Sequence, residues 1–321
     1  HQCYPHKMLT GRAGAYTRAA EYNDVSGFTN TDESAHDIFN IGHTSTSISL
    51  ASGLAKARDL AGGTENIIAL IGDGSMSGGE ALEGLNVVGE MSTNCIIVFN
   101  DNDQSISENH GGMYRKFKEL RETNGQAEDN LFRAMGLRYR YVADGNDAEA
   151  LIRVFSEEKD STSPVVIHIH TTKGKGLSFA ENDPEGWHRH APFHLETGIA
   201  KKTSSPEPYT AATMDFVLET ARRNPNFVYL SAGIVGGINL SPAQRAELGS
   251  QYIDVGIAEE HAVAMASGLA RAGARPIFGT YSTFFQRTYD QMAQDVAINR
   301  SPAVFLATGT SLYRSTDVTH L

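Results

Sequence analysis

Two stretches decide the fold class: Ile67-Ile68-Ala69-Leu70-Ile71-Gly72-Asp73-Gly74-Ser75 and Cys95-Ile96-Ile97-Val98-Phe99-Asn100-Asp101-Asn102. Each begins as an apolar run of strand length and stops at a short polar turn. Between them, Gly78–Met91 reads as a helix with Ala81, Leu82, Leu85, Val88 and Gly89 on one face. Strand, helix, strand in that order predicts a parallel pair in an α/β sheet. Ligands of such sheets bind beyond the carboxyl ends of the strands. Asp73 and Asn102, 29 positions apart, both fall at such ends. They offer hard oxygen ligands of the kind that suit Mg²⁺, which usually bridges to a phosphate. A lone Gly-Asp-Gly is an ordinary turn, but the Asn-rich second strand end favours a metal–diphosphate site.

The same alternation extends in both directions. His1–Arg12 is polar and reads as a surface loop, and Ala13–Asp37 is Gly-, Asn- and Thr-rich loop. Gly42-His43-Thr44-Ser45-Thr46-Ser47 opens a helix that runs from Ile48 to Leu60. One hydroxyl would cap that helix; a glycine and four hydroxyl residues suit an anion as well. Asn102–Asn109 is a polar loop, and Tyr114–Glu122 is a charged helix with, most simply, a solvated face. A short run at Tyr139–Val142, a helix over Ala148–Glu157 capped by Asp147, and a β-rich run over Pro164–His170 complete a first α/β domain, residues 1–200. His188 and His190 could suggest metal, but His-x-His without further ligands is usually no site. Residues 201–208, Ser-rich with Pro206 and Pro208, read as a linker. Beyond it, strands over Phe227–Ser231, Tyr252–Val255, Pro276–Thr280 and Ala303–Ala307 alternate with helices over Tyr209–Arg223, Glu259–Ala272 and Phe284–Ile298. That predicts a second α/β domain, residues 209–321, incomplete at its end.

Composition narrows the function. The chain has 321 residues, 40% hydrophobic and 20% charged, as in soluble globular proteins. Its net charge of −11 argues against nucleic acid, while local basic residues still permit an anionic substrate. Two cysteines are too few for a disulfide framework and fit a reducing, cytoplasmic setting. No apolar run approaches the ~18 residues of a membrane span. The abrupt start suggests an internal fragment.

Seven ordered motifs carry a resemblance. They are His1-Gln-Cys-Tyr-Pro-His-Lys-Met-Leu-Thr-Gly-Arg12, Gly42-His-Thr-Ser-Thr-Ser-Ile48, Gly72-Asp-Gly74, Asn100-Asp-Asn-Asp-Gln-Ser-Ile-Ser-Glu-Asn109, Thr172-Lys-Gly-Lys-Gly176, Val255-Gly-Ile-Ala-Glu-Glu-His261 and Tyr281-Ser-Thr-Phe-Phe-Gln-Arg287. Together they resemble the 1-deoxy-D-xylulose-5-phosphate synthases, thiamine-diphosphate enzymes of the transketolase superfamily. The resemblance implies Mg²⁺ held by Asp73, Asn102 and the carbonyl of Gln104. It implies cofactor contacts from His1, Gly42, His43, Thr44, Gly74, Ser75, Asn102, Lys173 and Leu177. Glu259 is implied to hydrogen-bond the aminopyrimidine ring, although by position alone it is one of two acidic residues favoured at a helix start. Tyr281, Arg287 and Asp317 are implied substrate contacts, with His188 and His320 as proton-transferring histidines. An Arg suits an aldehyde phosphate because its planar fork pairs with phosphate oxygens. Implied partners are pyruvate, an aldehyde phosphate and a second copy of the chain.

The match also has departures. Members of that family carry a longer segment between Asn109 and Asp144, and Leu312–His320 differs from the family pattern. Ketol transfer between sugar phosphates, and an inactive cofactor-binding homologue, are therefore the rival expectations.

Overall fold

A computed structural model describes residues 3–22, 24–201 and 208–309. Two four-stranded sheets, all of whose strand pairs are parallel, organise the chain. The first has the order β1-β2-β4-β3, with β1 Ile68–Gly72, β2 Ile96–Asp101, β3 Arg138–Val142 and β4 Val165–His170. The second has the order β6-β5-β7-β8, with β5 Phe227–Ser231, β6 Tyr252–Asp254, β7 Arg275–Tyr281 and β8 Val304–Thr308. The expected α/β class is what the structure shows.

The strands sit where the apolar runs are, because a strand covered on both faces needs no alternation. β2 is the clearest case: Ile96 to Phe99 are all buried. Helices Ser47–Leu60 and Gly79–Glu90 pack beside each other, with Ile48, Ala51 and Ala55 facing Ala81, Leu85 and Val88 in one cluster. Helix Gly112–Glu122 adds Tyr114, Phe117 and Leu120 to that cluster, which also holds Phe99 and Phe132. The other face of the first sheet is a smaller apolar layer built from Val142, Val154, Val165, Ile167 and Ile169. The second sheet likewise has a layer on each face, one around Val217, Phe227 and Tyr229, the other around Ala262, Ala266 and Phe278.

One glycine marks how closely these layers meet. A Cβ on Gly89 would lie 1.9 Å from the carbonyl oxygen of Met135. Gly89→Ala is therefore expected to destabilise the chain by about 2 kcal/mol or more, since backbone rather than a flexible side chain must move; a urea midpoint equal to that of the unmodified chain would contradict this.

Three expectations need correction. His1–Arg12 is not a plain surface loop. From Cys3 onward it forms a short helix, Tyr4–Lys7, followed by a turn over Met8–Arg12 that leaves helical geometry at Thr10 and Gly11, and Lys7 is fully buried. The Lys7 ammonium pairs with Glu33 at 2.7 Å, and Arg12 pairs with Asp37 at 2.7 Å. Buried charges of this kind need partners, and those partners lie more than twenty residues away, beyond local pattern. Helix Gly112–Glu122 is not merely a solvated face, since it buries three apolar side chains. Finally, the segment expected as one helix over Phe284–Ile298 is a 3₁₀ stretch, Ser282–Thr288, a single α turn, Tyr289–Gln291, and a π turn, Met292–Ala297. The predicted linker falls almost wholly outside the described residues.

Candidate functional site

Strand register builds the first half of the site. Gly72 pairs with Asn100, and Asp101 with His170, so β1, β2 and β4 end at one level. The Asp73, Asn102 and Lys173 turns leave the sheet side by side. Asp73 is 3% exposed and is the hub of its turn. Its Oδ1 accepts from the Gly74 amide at 2.8 Å, and its Oδ2 accepts from the amides of Asn102 and Gln104 at 3.2 and 2.9 Å and from Asn109 Nδ2 at 3.0 Å. Burial, and next the charge of Asp101, push the Asp73 carboxyl up to about 7.

The Oδ1 of Asn102 is buried and has no hydrogen-bond partner. A buried carbonyl oxygen without a donor costs free energy unless something else satisfies it. A cation between Asn102 Oδ1 and Asp73 would do so and would restore the ionised carboxylate. The two residues therefore fit Mg²⁺. Among the described residues no three His, Cys, Asp or Glu gather as a metal set. Amide and non-protein oxygens must complete the shell, as in a metal–diphosphate site.

The cradle around this pair is tight. A Cβ on Gly74 would lie 2.7 Å from Ser105 Oγ and 3.3 Å from Ser105 Cα, so only glycine lets that backbone turn in. Ser75 receives a hydrogen bond at its carbonyl from Ser45 Oγ, 2.8 Å away. Ser45 itself holds a φ of 81°, an unusual conformation for a residue with a side chain. Helix Ser47–Leu60 starts here without a side-chain cap, so the hydroxyls of this motif are not spent on capping. Lys173 reaches in to donate to the Ser105 carbonyl, and burial lowers its pKa, with Asp73 opposing. Leu177, whose amide closes the Lys173 turn on Gly174, lies at the edge.

A buried relay lies directly behind Asn102, and sequence reading missed it. His168 Nε2 donates to Asp101 Oδ2 at 2.9 Å, Tyr139 donates to His168 Nδ1 at 2.7 Å, and Arg121 pairs with Asp101 at 2.6 Å. Burial alone would raise the Asp101 carboxyl, but His168 and Arg121 outweigh it and hold it low. Arg121 also pairs with Asp103 at 2.6 Å, so one guanidinium grips the residues on both sides of Asn102. Tyr114, from the same helix, donates to the Asp73 carbonyl at 3.0 Å.

The second sheet supplies the facing half. Glu259 opens the helix Glu259–Arg271 and is 1% exposed. Burial pushes its carboxyl up to about 7, and Arg287, 3.3 Å away, opposes that rise. Arg287 also donates to the Thr44 carbonyl at 3.0 Å. The guanidinium expected to meet a substrate phosphate is thus held on Glu259 and on the Thr44 carbonyl. His43 Nε2 donates to the Thr283 carbonyl at 3.4 Å and sets its ring edge-on to Phe284. Tyr281 stacks on Phe284 at 6.2 Å. His188 stands in the field of Lys173; burial first, then that charge, lower its pKa to about 4. His190 instead stacks on Trp187 at 4.0 Å, exposed. Gly42 is buried. His1, Asp317 and His320 lie outside the described residues.

Comparisons with known proteins give the following matches. A family profile described as 1-deoxy-D-xylulose-5-phosphate synthase matches residues 1–129 and 121–171, and one described as transketolase, pyrimidine binding domain, matches 207–320. The chain belongs to the 1-deoxy-D-xylulose-5-phosphate synthase family. Proteins of that name from Halalkalibacterium halodurans and Clostridium tetani are 38% and 39% identical to it, over all of this chain and 57% of theirs. A third, from Geobacter sulfurreducens, is 40% identical over 95% of this chain and 54% of its own. The chain thus spans little more than half the length of these synthases. The Halalkalibacterium alignment runs over 357 positions against 321 residues, so 357 less 321 leaves at least 36 positions of that synthase without a counterpart. The synthase profile breaks and resumes across residues 121–129, which places a shortening there, after helix Gly112–Glu122. A transketolase from Leishmania mexicana covers 83% of this chain and 51% of its own at 18% identity, with a TM-score of 0.36, too low to bear on the site. Among the described residues no helix is long and apolar enough to cross a membrane.

Proposed function

We propose that this chain carries the thiamine-diphosphate and Mg²⁺ site of a transferase that joins pyruvate to glyceraldehyde 3-phosphate, giving 1-deoxy-D-xylulose 5-phosphate and CO₂. The observation that carries the reading is the orphaned Asn102 Oδ1 beside buried Asp73, with buried Glu259 tied through Arg287 to the Thr44 loop. Bound thiamine diphosphate would supply the carbanion chemistry that decarboxylation of a 2-keto acid requires. Residues 1–200 would hold its diphosphate and metal, residues 209–321 its aminopyrimidine, with 201–208 linking the two. Asp73, Asn102 and the Gln104 carbonyl would bind Mg²⁺. Gly42, Gly74 and Ser75 would present backbone to the diphosphate, and His1, His43, Thr44, Lys173 and Leu177 would line the rest of the cofactor.

Glu259 is the residue suited to hold a proton at the aminopyrimidine, because a carboxyl titrating near 7 can both accept and return one at working pH. His188, His320 and Asp317 would face the substrates, and Tyr281 and Arg287 the acceptor. Burial, then the charge of Lys173, keep His188 neutral near pH 7. Two buried free thiols, Cys3 and Cys95, suit a cytoplasmic setting, and the working form is proposed to be a homodimer. An assay of the full-length protein for CO₂ release from pyruvate, with a panel of aldehyde phosphates, tests the reading. Product formation without CO₂ would replace it with ketol transfer, and cofactor binding without turnover with an inactive homologue.

Arg287 gives a sharper expectation than phosphate binding alone. Removing it deletes a candidate phosphate contact, a loss on the order of 2–3 kcal/mol, or roughly 30- to 150-fold in the acceptor's KM. It also removes the cation that holds Glu259 down, so the acidic limb of the kcat profile should move to higher pH. A raised KM with an unmoved pH profile would break the Arg287–Glu259 link.

A further inference from the structure

We infer that Ser77 is a positioning residue whose hydroxyl couples the metal–diphosphate half of the site to the half that carries Glu259. Among the described residues, several polar contacts cross between the two sheets' loops. Arg287 to Thr44 and His43 to Thr283 line the cleft itself, and Arg245 to Glu185, paired at 2.8 Å, lies at its margin. A further contact has no assigned purpose. Ser77 Oγ donates its single proton to the Gly74 carbonyl at 2.7 Å and accepts the Ile257 amide at 2.8 Å. A hydroxyl has one donor and two acceptor positions, so this arrangement commits its proton to one half and a lone pair to the other.

The residues on either side make the contact a short mechanical path. Gly74 adjoins Asp73, and Ile257 lies two positions before Glu259. Asp254 fixes the approach of that second loop, taking the amides of Gly233 at 3.0 Å and Gly256 at 2.9 Å. Gly256 has a φ of 75°, and a Cβ there would sit 2.8 Å from Ser77 Oγ and 2.9 Å from Ser77 Cβ. On the near side, a Cβ on Gly78 would meet Ser45 Oγ at 2.2 Å. The second loop therefore closes onto Ser77 only because Gly256 carries no side chain, and Gly78 leaves room for Ser45 on the other side of Ser77.

The consequence rests on the proposed thiamine-diphosphate reading. A bipartite ligand gains affinity when its two subsites are already held at the right separation, because binding the second part then costs little ordering. Ser77 commits its proton to Gly74 and a lone pair to Ile257, so its hydroxyl has no proton left to give a ligand. It should matter only for ligands that span both halves.

Calorimetry on the full chain with Mg²⁺ tests this with two ligands, thiamine diphosphate and inorganic pyrophosphate, the latter filling one half only. Ser77→Ala is expected to weaken thiamine diphosphate about tenfold while pyrophosphate stays within about twofold. Gly256→Ala, which crowds the same hydroxyl from the other side, should give the same pattern, and Ser77→Thr should restore tight binding. Equal losses for both ligands in Ser77→Ala, or no loss for either, would overturn the coupling. Failure of the unmodified chain to bind thiamine diphosphate at all would instead overturn the proposed function, and the coupling with it.

Discussion

Glu259→Ala is expected to lower turnover by roughly 10²- to 10⁴-fold, the range that one positioned proton-transfer group supplies, with thiamine diphosphate still bound through the other half of the site. The carboxyl is buried, faces the cleft, and is pushed up to about 7, with burial the first cause. Glu259→Gln keeps the shape and a hydrogen-bonding group but cannot cycle a proton, so it should lose nearly as much. The same carboxyl predicts a stability signature that needs no cofactor. In the folded chain it keeps its proton up to about 7, whereas in the unfolded chain it loses it near the ordinary carboxylate value. Between those limits the folded state holds more protons, so its contribution is fully present below the unfolded value and is lost as pH rises through about 7. Measured by urea unfolding at pH 5 and pH 8, the unmodified chain should lose on the order of 2–3 kcal/mol relative to Glu259→Gln across that interval. Parallel pH dependences would mean that Glu259 is ionised throughout, and its role as proton carrier would fall.

How much of this was legible in the sequence follows from where each interaction closes. β1 and β2 end at Asp73 and Asn102 after unbroken apolar runs, so both the strands and their strand-end polar residues could be read locally. Glu259 could be placed at a helix start for the same reason. Arg121 could not be given its task. It lies on a helix whose charged composition resembles a solvated surface, and its partner Asp101 is 20 positions away, on another element. The His168–Asp101 contact closes over 67 positions, and the Ser77–Ile257 contact over 180. No periodicity encodes such pairs; they exist only once the parallel register has brought the strand ends to one level. Lys7 shows the same limit, since a lysine in a polar stretch reads as exposed until Glu33 is folded against it. The resemblance suggested a phosphate for Arg287, but nothing local in the sequence shows it as a partner of Glu259, because the two lie 28 positions apart on different elements.

Asp73→Ala is expected to abolish Mg²⁺-dependent retention of thiamine diphosphate, a loss of at least about 100-fold in affinity. Two effects combine in that figure, and they can be separated. Asp73 is a prospective metal ligand, and it also satisfies four donors, the amides of Gly74, Asn102 and Gln104 and the Asn109 side chain. Leaving buried donors unpaired costs about 1–3 kcal/mol each, so the loop itself should loosen and the urea midpoint should fall. Asn102 separates the effects, because its Oδ1 has no partner to lose. Asn102→Ala should therefore leave the urea midpoint near that of the unmodified chain, or raise it slightly, while still weakening Mg²⁺ by about tenfold or more. If Asn102→Ala binds Mg²⁺ as tightly as the unmodified chain, the orphaned oxygen is not a ligand, and the metal cannot lie between these two strand ends. If it loses Mg²⁺ at full stability, the buried, unsatisfied oxygen is explained as a coordination position that the fold holds open.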